Sequence, residues 1–521
     1  MYEQNQNMSR KREQCVTDTP ILPSRHSSNS HTSIAIFLIA RGNKNNLERV
    51  WDLCYSFPRW KRSALDRERI KNMDESAAVD HGKNMYDFAA SVFPFCRSIT
   101  GEGVRKTLKA FSDYIGQDGI QLSIHNVPTG TKVFDWTVPK EWVIREAYIE
   151  DEAGNHIIDM RENNLHVMGY STPVDEWAEL DELKRHIFTQ EDQPDVIPYV
   201  TSYYRERYGF CMSQRQKDSL PEGRYHMFID SELIDGSLTY GELVIKGRTE
   251  EEIFFSTYDC HPSMANNECS GPALMAELIR YVNALPDRRY TYRFAIVPET
   301  IGSITYLSTN DRMKYMKQNV IAGFNLSCVG DDRDYSIVHS RYGDTLADRV
   351  LENVLKTHTG GRYTAYSFLQ RGSDERQYNA PGVELPVVCC CRSKFGEYPE
   401  YHTSADNMGL VSPSGFQGSY DVMTQVIDAL EYNRNYKVSV YGEPQLGKRG
   451  LYPTVSRKGS YDAVKAMVDF IAYADGRNDL IGISDLIGVS VRELIPVIQK
   501  LLSNDLLMHT DAGRADPEWG A

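Results

Sequence analysis

The sequence predicts an α/β fold: a mostly parallel sheet with helices on both faces, a small β-rich insert, and a C-terminal helix-turn-helix domain. Three observations lead there. Between residues 237 and 440, apolar strand-like runs alternate with helical patterns, which is the sequence form of a parallel sheet covered by helices. Between about 128 and 236 the pattern changes to short alternating runs, dense in Trp and Tyr and broken by Pro and Gly. Near the end, ISDLIGV and SVRELIPVIQKLLSN follow one another at the spacing of a helix-turn-helix. A chain of 521 residues is long enough for about three or four domains.

Taken in order, residues 1–72 are rich in Ser, Asn, Arg and Lys and show no sustained period beyond Ile34 to Ala40, so a disordered extension is expected. Met73 just precedes the first patterned region and is a candidate translation start, to be checked by the intact mass of the native protein. The runs MYDFAASVFPF and GVRKTLKAFSDYI place apolar residues at helical spacing, separated by a turn at Ser98 to Gly103. Residues 73–127 and 237–455 are assigned to the α/β domain and 128–236 to the insert. Strands are expected at Glu252 to Tyr258, Tyr292 to Pro298, Val320 to Cys328 and Leu385 to Cys391. A Gly-rich connector, GEPQLGKRGLYPT, leads to the last domain, residues 456–521, read as three helices and a short tail.

The formal charge of −14 repels phosphate backbones and anionic lipid surfaces, which argues against nucleic acid and membrane as partners. From Gly459 to Ala521, Lys465, Arg477, Arg492, Lys500 and Arg514 face ten acids, giving −5, the wrong sign for a DNA-reading helix. That domain is expected to pack on the main body or on a second copy of the chain, as a homo-oligomer. Ten cysteines are too few for a disulfide scaffold, and the consecutive Cys389, Cys390 and Cys391 suit buried strand packing. The seven apolar residues Ile34 to Ala40 are too short for a membrane span, and a cytoplasmic location is expected.

In an open parallel sheet, ligands bind beyond the carboxyl ends of the strands. Four strand ends carry polar residues there: Asp259, His261, Asn267 and Glu268 after the first, Glu299 after the second, Asn325, Ser327 and Asp331-Asp332 after the third, Glu400, His402 and Asp406 after the fourth. Arg371, Asp374, Glu375 and Arg376 lie just before the fourth. Each alone is more readily a helix cap or a loop contact. Two imidazoles and several carboxylates on one sheet edge together suit zinc, with a further carboxylate free to take a proton, and so suggest metal-assisted hydrolysis.

HPSMANNECSG, PETIGS, FNLSCVG, RGSDERQY and YPEYHTSAD, in this order, resemble the bacterial aminopeptidase-like proteins of unknown function. The resemblance spans about residues 85 to 510. It implies a zinc-aminopeptidase-like fold with an inserted β domain and a C-terminal winged helix, and more remotely a likeness to leucyl aminopeptidases and glutamate carboxypeptidases with two zinc ions. Carried over residue by residue, it makes His261 and His402 zinc ligands and Glu299 the base that takes a proton from the attacking water and passes it to the leaving amine. It also marks departures. The positions of three ligand carboxylates of the remote family hold Asn267, Thr300 and Ser327. One zinc is therefore expected instead of two, held by His261, His402 and Glu268, with Asp259 as ligand or support. Asp374 or Glu375 would orient the site, and Asn267 would face the substrate. Arg371 and Arg376 either receive a substrate carboxylate or pair with Asp374 or Glu375.

The resulting expectation is a zinc-dependent hydrolase of aminopeptidase type, acting on a small peptide-like or amino-sugar-like biosynthetic substrate. The alternative is a non-catalytic binding protein on a degenerate aminopeptidase fold. Tyr203-Tyr204 and Tyr208-Phe210 are read as core of the insert before cleft, and Gly447 to Gly450 as a connector without phosphate-loop spacing.

Overall fold

The computed structural model describes residues 79–203, 205–452 and 464–511. The expected extension at 1–72, Met73 and Tyr204 lie outside the described residues.

Two helices open the described chain, α1 (His81–Val92) and α2 (Glu102–Gly116). Asp80 caps the first, its side chain accepting from the Lys83 N–H at 2.9 Å. The strands that follow are β1 (Ser123–Pro128), β2 (Glu141–Asp151), β3 (His156–Asp159), β4 (Val174–Glu179), β5 (Arg224–Ile234), β6 (Ser237–Ile245) and β7 (Glu252–Tyr258). Helix α3 (Ser270–Ala284), β8 (Thr291–Val297), α4 (Ile301–Ser308), β9 (Val320–Leu326), β10 (Ser336–Val338), α5 (Leu346–Thr359), β11 (Thr364–Tyr366), β12 (Val387–Cys391) and α6 (Pro413–Tyr432) follow in the main body, among shorter helices.

The main sheet has eight strands in the order β1-β6-β8-β7-β9-β12-β10-β11. Its centre, β8-β7-β9-β12, is parallel throughout, while β6 and β10 run antiparallel to their central neighbours. Every residue of β7 and β8 is buried, as parallel strands with helices on both faces require. The strand ends differ from the sequence reading for local reasons. β9 stops at Leu326 because the chain turns at Cys328, which has φ +53°. β8 stops at Val297 and β12 starts at Val387 because Pro298 and Pro386 have no N–H to donate.

The chain leaves the main sheet at Pro128 and returns at Ser237. Between them, β3-β2-β5-β4 form an antiparallel sheet whose core, including Trp142, Tyr225 and Phe210, is continuous with Phe254, Val297 and Tyr306 of the main body.

The C-terminal domain begins earlier than residue 456. Strand β13 (Arg434–Val438) follows α6 directly and pairs with β14 (Asp475–Asp479) and β15 (Leu507–Asp511). The Gly-rich connector is therefore inside this domain, and the tail after the last helix is a strand of the wing. Its helices are α7 (Lys465–Tyr473), α8 (Leu480–Ile487) and α9 (Val491–Leu502). Phe470, Leu480, Leu494 and Ile498 share one apolar core with Val426, Ile427 and Leu430 of α6, so the domain packs on the main body. Among the described residues no helix is long and apolar enough to cross a membrane.

Candidate active site

Three of the four expected strand ends converge. β7 runs straight into Asp259, Cys260 and His261, all buried. Buried Arg97 fixes this segment: its Nε donates to the His261 carbonyl at 2.9 Å, and its Nη2 to Cys269 Sγ at 3.3 Å. A π-helical turn, Ala265–Cys269, precedes α3 and carries Glu268 toward His261. His261 Nδ1 donates to Glu268 Oε2 at 2.6 Å. Gly271 lets α3 close on the sheet, since a Cβ there would meet Thr257 Oγ1 at 2.0 Å.

The other face of the imidazole looks at the end of β8. His261 Nε2 lies 3.7 Å from Glu299 Oε2. Thr300 has φ +67° and ψ −76°, and the Ile301 N–H donates to the Glu299 carbonyl at 2.8 Å, a strained three-residue γ-turn that turns Glu299 toward the site. Asp374 supports that turn, its Oδ1 accepting from Thr300 N at 2.7 Å and Ser303 Oγ at 2.8 Å. His402 arrives on a left-handed residue, φ +57°, with Tyr401 stacked on it at 3.8 Å between centroids. The His261 and His402 rings are 5.2 Å apart.

The insert covers this pair. Tyr199 N donates to the His402 carbonyl at 2.9 Å, and Ser404 N to the Ile197 carbonyl at 2.9 Å. The Tyr199 ring presents its edge to His261 at 5.2 Å and to His402 at 5.1 Å, while its hydroxyl meets Tyr203 at 2.8 Å.

Buried acceptors without a donor gather here: both oxygens of Asp259, Glu268 Oε1, Asn267 Oδ1 and His402 Nε2. Such atoms are costly unless a cation or water meets them. Burial, reinforced by the Glu268 charge, holds the Asp259 carboxyl well above its usual range. Burial and the nearby His261 hold His402 well below its own, which keeps that imidazole neutral. At His261, burial works downward, but the Glu268 and Glu299 carboxylates together outweigh it and the net shift is upward. Among the described residues one group has its ligand atoms gathered closely, Cys260, His261 and Glu268, and thiol, imidazole and carboxylate are donors zinc accepts, whereas His402 and Asp259 stand outside that group. Ligand atoms of Cys260, His261 and Glu268 all lie within 4.8 Å of one another.

The other sequence-derived candidates sit differently. Asn267 Nδ2 donates to the Tyr258 hydroxyl at 3.0 Å, which in turn meets Ser327 Oγ at 2.5 Å. Two of the departures noted above are thus joined through a phenol, with no carboxylate between them. Glu375 is an anchor: Oε1 accepts from Gly372 and Ser373 N–H groups at 2.8 and 3.2 Å, and Oε2 from Asn325 at 3.4 Å. Asp406 holds the π-turn through the N–H groups of Asn266 and Asn267 at 2.6 and 3.0 Å. Asp331 binds Asn266 and Ser393, and Glu400 binds Arg333. Neither expected ion pair of the arginines forms: Arg376 donates to the Thr300 hydroxyl and Arg371 to the Phe368 carbonyl at 3.2 Å. Cys260, Arg97, Tyr401 and Tyr199 escape the sequence reading. The first stands between two named candidates, which is a signal, whereas Tyr199 comes from a loop of another domain and carries none.

The family model described as "Domain of unknown function (DUF4910)" matches residues 86–433. The chain belongs to this family. A winged helix-turn-helix model matches residues 434–509, starting where β13 starts. Over 441 residues the DUF4910 chain is 44% identical to a Clostridium acetobutylicum protein named "Putative polysaccharide biosynthesis protein with aminopeptidase-like domain", covering 84% of this chain and 98% of the relative. A crystal structure of a "putative peptidase" from Clostridium acetobutylicum is similar with a TM-score of 0.75 and 42% identity, over 85% of this chain and 99% of that one. A zinc aminopeptidase from Bacillus subtilis is similar over 66% of this chain and 94% of its own, with 13% identity and a TM-score of 0.49.

Proposed function

We propose that this DUF4910 chain is a zinc-dependent hydrolase of aminopeptidase type that cleaves an amide bond in a small biosynthetic substrate. The observation that carries this reading is the pair of buried His261 and half-buried His402, with Glu299 facing His261 Nε2 amid acceptors that lack donors. His261 and His402 would hold one ion, with Asp259 as ligand or support and Glu268 fixing His261 through its far nitrogen. Bound there, zinc supplies Lewis acidity to a carbonyl and acidifies water. Glu299, whose side chain is 21% exposed, is the one carboxylate of the group open to solvent; it takes the proton of the attacking water and returns it to the leaving amine. Asp374 orients it through the Thr300 turn. The relative's name, with its polysaccharide biosynthesis and aminopeptidase-like domain, supports an amide of a peptide-like or amino-sugar-like intermediate.

The neutral side chains at Asn267, Thr300 and Ser327 favour a second reading, a non-catalytic binding protein. Elemental analysis separates the two: about one zinc per chain after repletion supports the hydrolase and none supports the binding protein. The mechanism is tested with Glu299→Gln on a substrate found by screening aminoacyl amides, dipeptides and N-acylated amino sugars. The variant should keep zinc and lose about 10² to 10⁴ in kcat; equal turnover would refute the role of Glu299.

A further inference from the structure

Most arginines among the described residues lie on a carboxylate: Arg349 on Asp479 at 2.7 Å, Arg293 on Glu252 at 2.6 Å, Arg105 on Glu141 at 2.6 Å. Three that have no hydrogen-bonded carboxylate share one cleft. It is an open groove of about 670 Å³ beyond β10 and β11, lined by Arg341, Arg371 and Arg376 together with Tyr342, Phe368 and Leu369, and no Asp or Glu borders it. Arg371 uses one N–H on the Phe368 carbonyl and lies over the Phe368 ring at 4.8 Å. Arg376 uses one on the Thr300 hydroxyl, and its Nε has no partner. The carboxylate oxygen nearest Arg341, Glu384 Oε1, is 3.9 Å away, and Glu384 already pairs with Lys317 at 3.2 Å.

In a chain of net charge −14, three guanidiniums lining one groove without hydrogen-bonded carboxylates form a local positive site in a negative field. We propose that this cleft binds a diphosphate group of the substrate, with Arg341, Arg371 and Arg376 as its ligands. One guanidinium fork satisfies one carboxylate, whereas three forks match a group with several negative oxygens spread over two phosphorus atoms. Tyr342 is 76% exposed and Leu369 85%, so the groove also offers an exposed ring, with Arg341 over it at 5.3 Å, and an apolar surface to whatever carries the diphosphate. At its other end, Arg376 grips Thr300, the residue after Glu299, and thereby joins the groove to the catalytic turn. The proposal rests on the hydrolase reading only in assigning the diphosphate to the substrate.

Isothermal titration of the full chain, stripped of metal by chelation and dialysed, tests it with pyrophosphate, uridine diphosphate and glutarate at low ionic strength. Pyrophosphate should bind and glutarate should bind at least tenfold more weakly. Arg341→Ala and Arg371→Ala should each weaken pyrophosphate at least tenfold, while Arg362→Ala, in a different groove, should not, with unchanged unfolding midpoints in all three. Uridine diphosphate binding more tightly than pyrophosphate would assign a nucleoside to the Tyr342 and Leu369 surface; equal affinity would assign another carrier, and both keep the site. Glutarate binding as well as pyrophosphate, or pyrophosphate binding surviving the Arg341→Ala, Arg371→Ala double substitution, would overturn it. No metal and no turnover enter this measurement, so failure of the hydrolase reading and failure of the diphosphate site are told apart.

Discussion

Glu268 meets His261 through one 2.6 Å hydrogen bond, while its second oxygen is buried without a donor. A carboxylate on the far nitrogen of an imidazole fixes its tautomer and aims the near nitrogen, which here is the Nε2 that faces Glu299. Glu268→Gln should therefore weaken zinc by about 10- to 100-fold without unfolding the chain, as read by chelator competition; unchanged affinity would remove Glu268 from the site altogether. Asp374 lends itself to a different measurement. Burial, and after it the Glu299 charge, pushes its carboxyl up to about 8 from an ordinary 3.8. Between those values the folded state holds a proton that the unfolded chain has released, so stability falls as pH rises from about 4 to about 8 and levels above. Asp374→Asn keeps an acceptor for Thr300 and Ser303 and removes the charge. The unfolding midpoint of the metal-free variant should fall less between pH 5 and 8.5 than that of the wild type, and parallel curves would refute the buried charge. His261, Glu299 and His402 were legible in the sequence because each follows a strand of the parallel sheet. Arg97 and Tyr199 were not, because their roles depend on contacts across 164 and about 200 residues of chain, which no local pattern records.

At the scale of elements, the turn after β8 stores strain where the proposed base is held. A β-branched residue at φ +67° costs about 1 to 3 kcal/mol, and it is kept by Asp374 on its N–H and Arg376 on its hydroxyl. Thr300→Gly relieves the strain but loses about 1 kcal/mol of hydrogen bonding and gains unfolded-state entropy worth about 0.5 to 1 kcal/mol. These terms nearly cancel, so stability should change by less than about 1 kcal/mol while kcat falls, because a freer turn no longer holds Glu299. A drop in stability of several kcal/mol with kcat retained would make the turn structural alone. The four central strands of the sheet were legible from continuous apolar runs, the mark of buried parallel strands, whereas β1, β6, β10 and β11 at its flanks were not. The π-turn before α3 was not, since Ala265 to Cys269 carries no composition that separates it from an ordinary first helical turn.

For the whole molecule, the C-terminal domain poses the question of nucleic acid directly, because its helix pair has the form of a DNA reader. Its boundary was missed in the sequence for a simple reason: β13 follows α6 with only Asn433 between, so no linker marks the change of domain. The second helix of the pair, α9, buries Val491, Leu494, Ile498 and Leu501, and Leu494 and Ile498 join the core shared with α6. Arg492, a cation at its start, lies on Asp428 of α6 at 2.7 Å. Arg349 and Arg289 of the main body hold Asp479 and Asp511 of the domain at 2.7 and 2.8 Å. A recognition helix must enter the major groove with free basic side chains, and this one is turned onto its own protein; counted from Arg434, the domain carries eleven basic and eleven acidic side chains, so the −5 counted from Gly459 does not extend to the whole domain. The full chain should therefore give no mobility shift with random-sequence duplex DNA at micromolar protein and physiological salt. Removing the tether alone should not change that: Arg492→Ala loses a partly exposed ion pair worth about 1 kcal/mol or less, whereas Ile498→Asp places an unpaired charge in the shared core and should loosen the domain into a separate, earlier unfolding transition. Specific retardation of any duplex by the wild type would show that α9 leaves α6 in solution, and a single unchanged transition in Ile498→Asp would show that the shared core does not hold the domain in place.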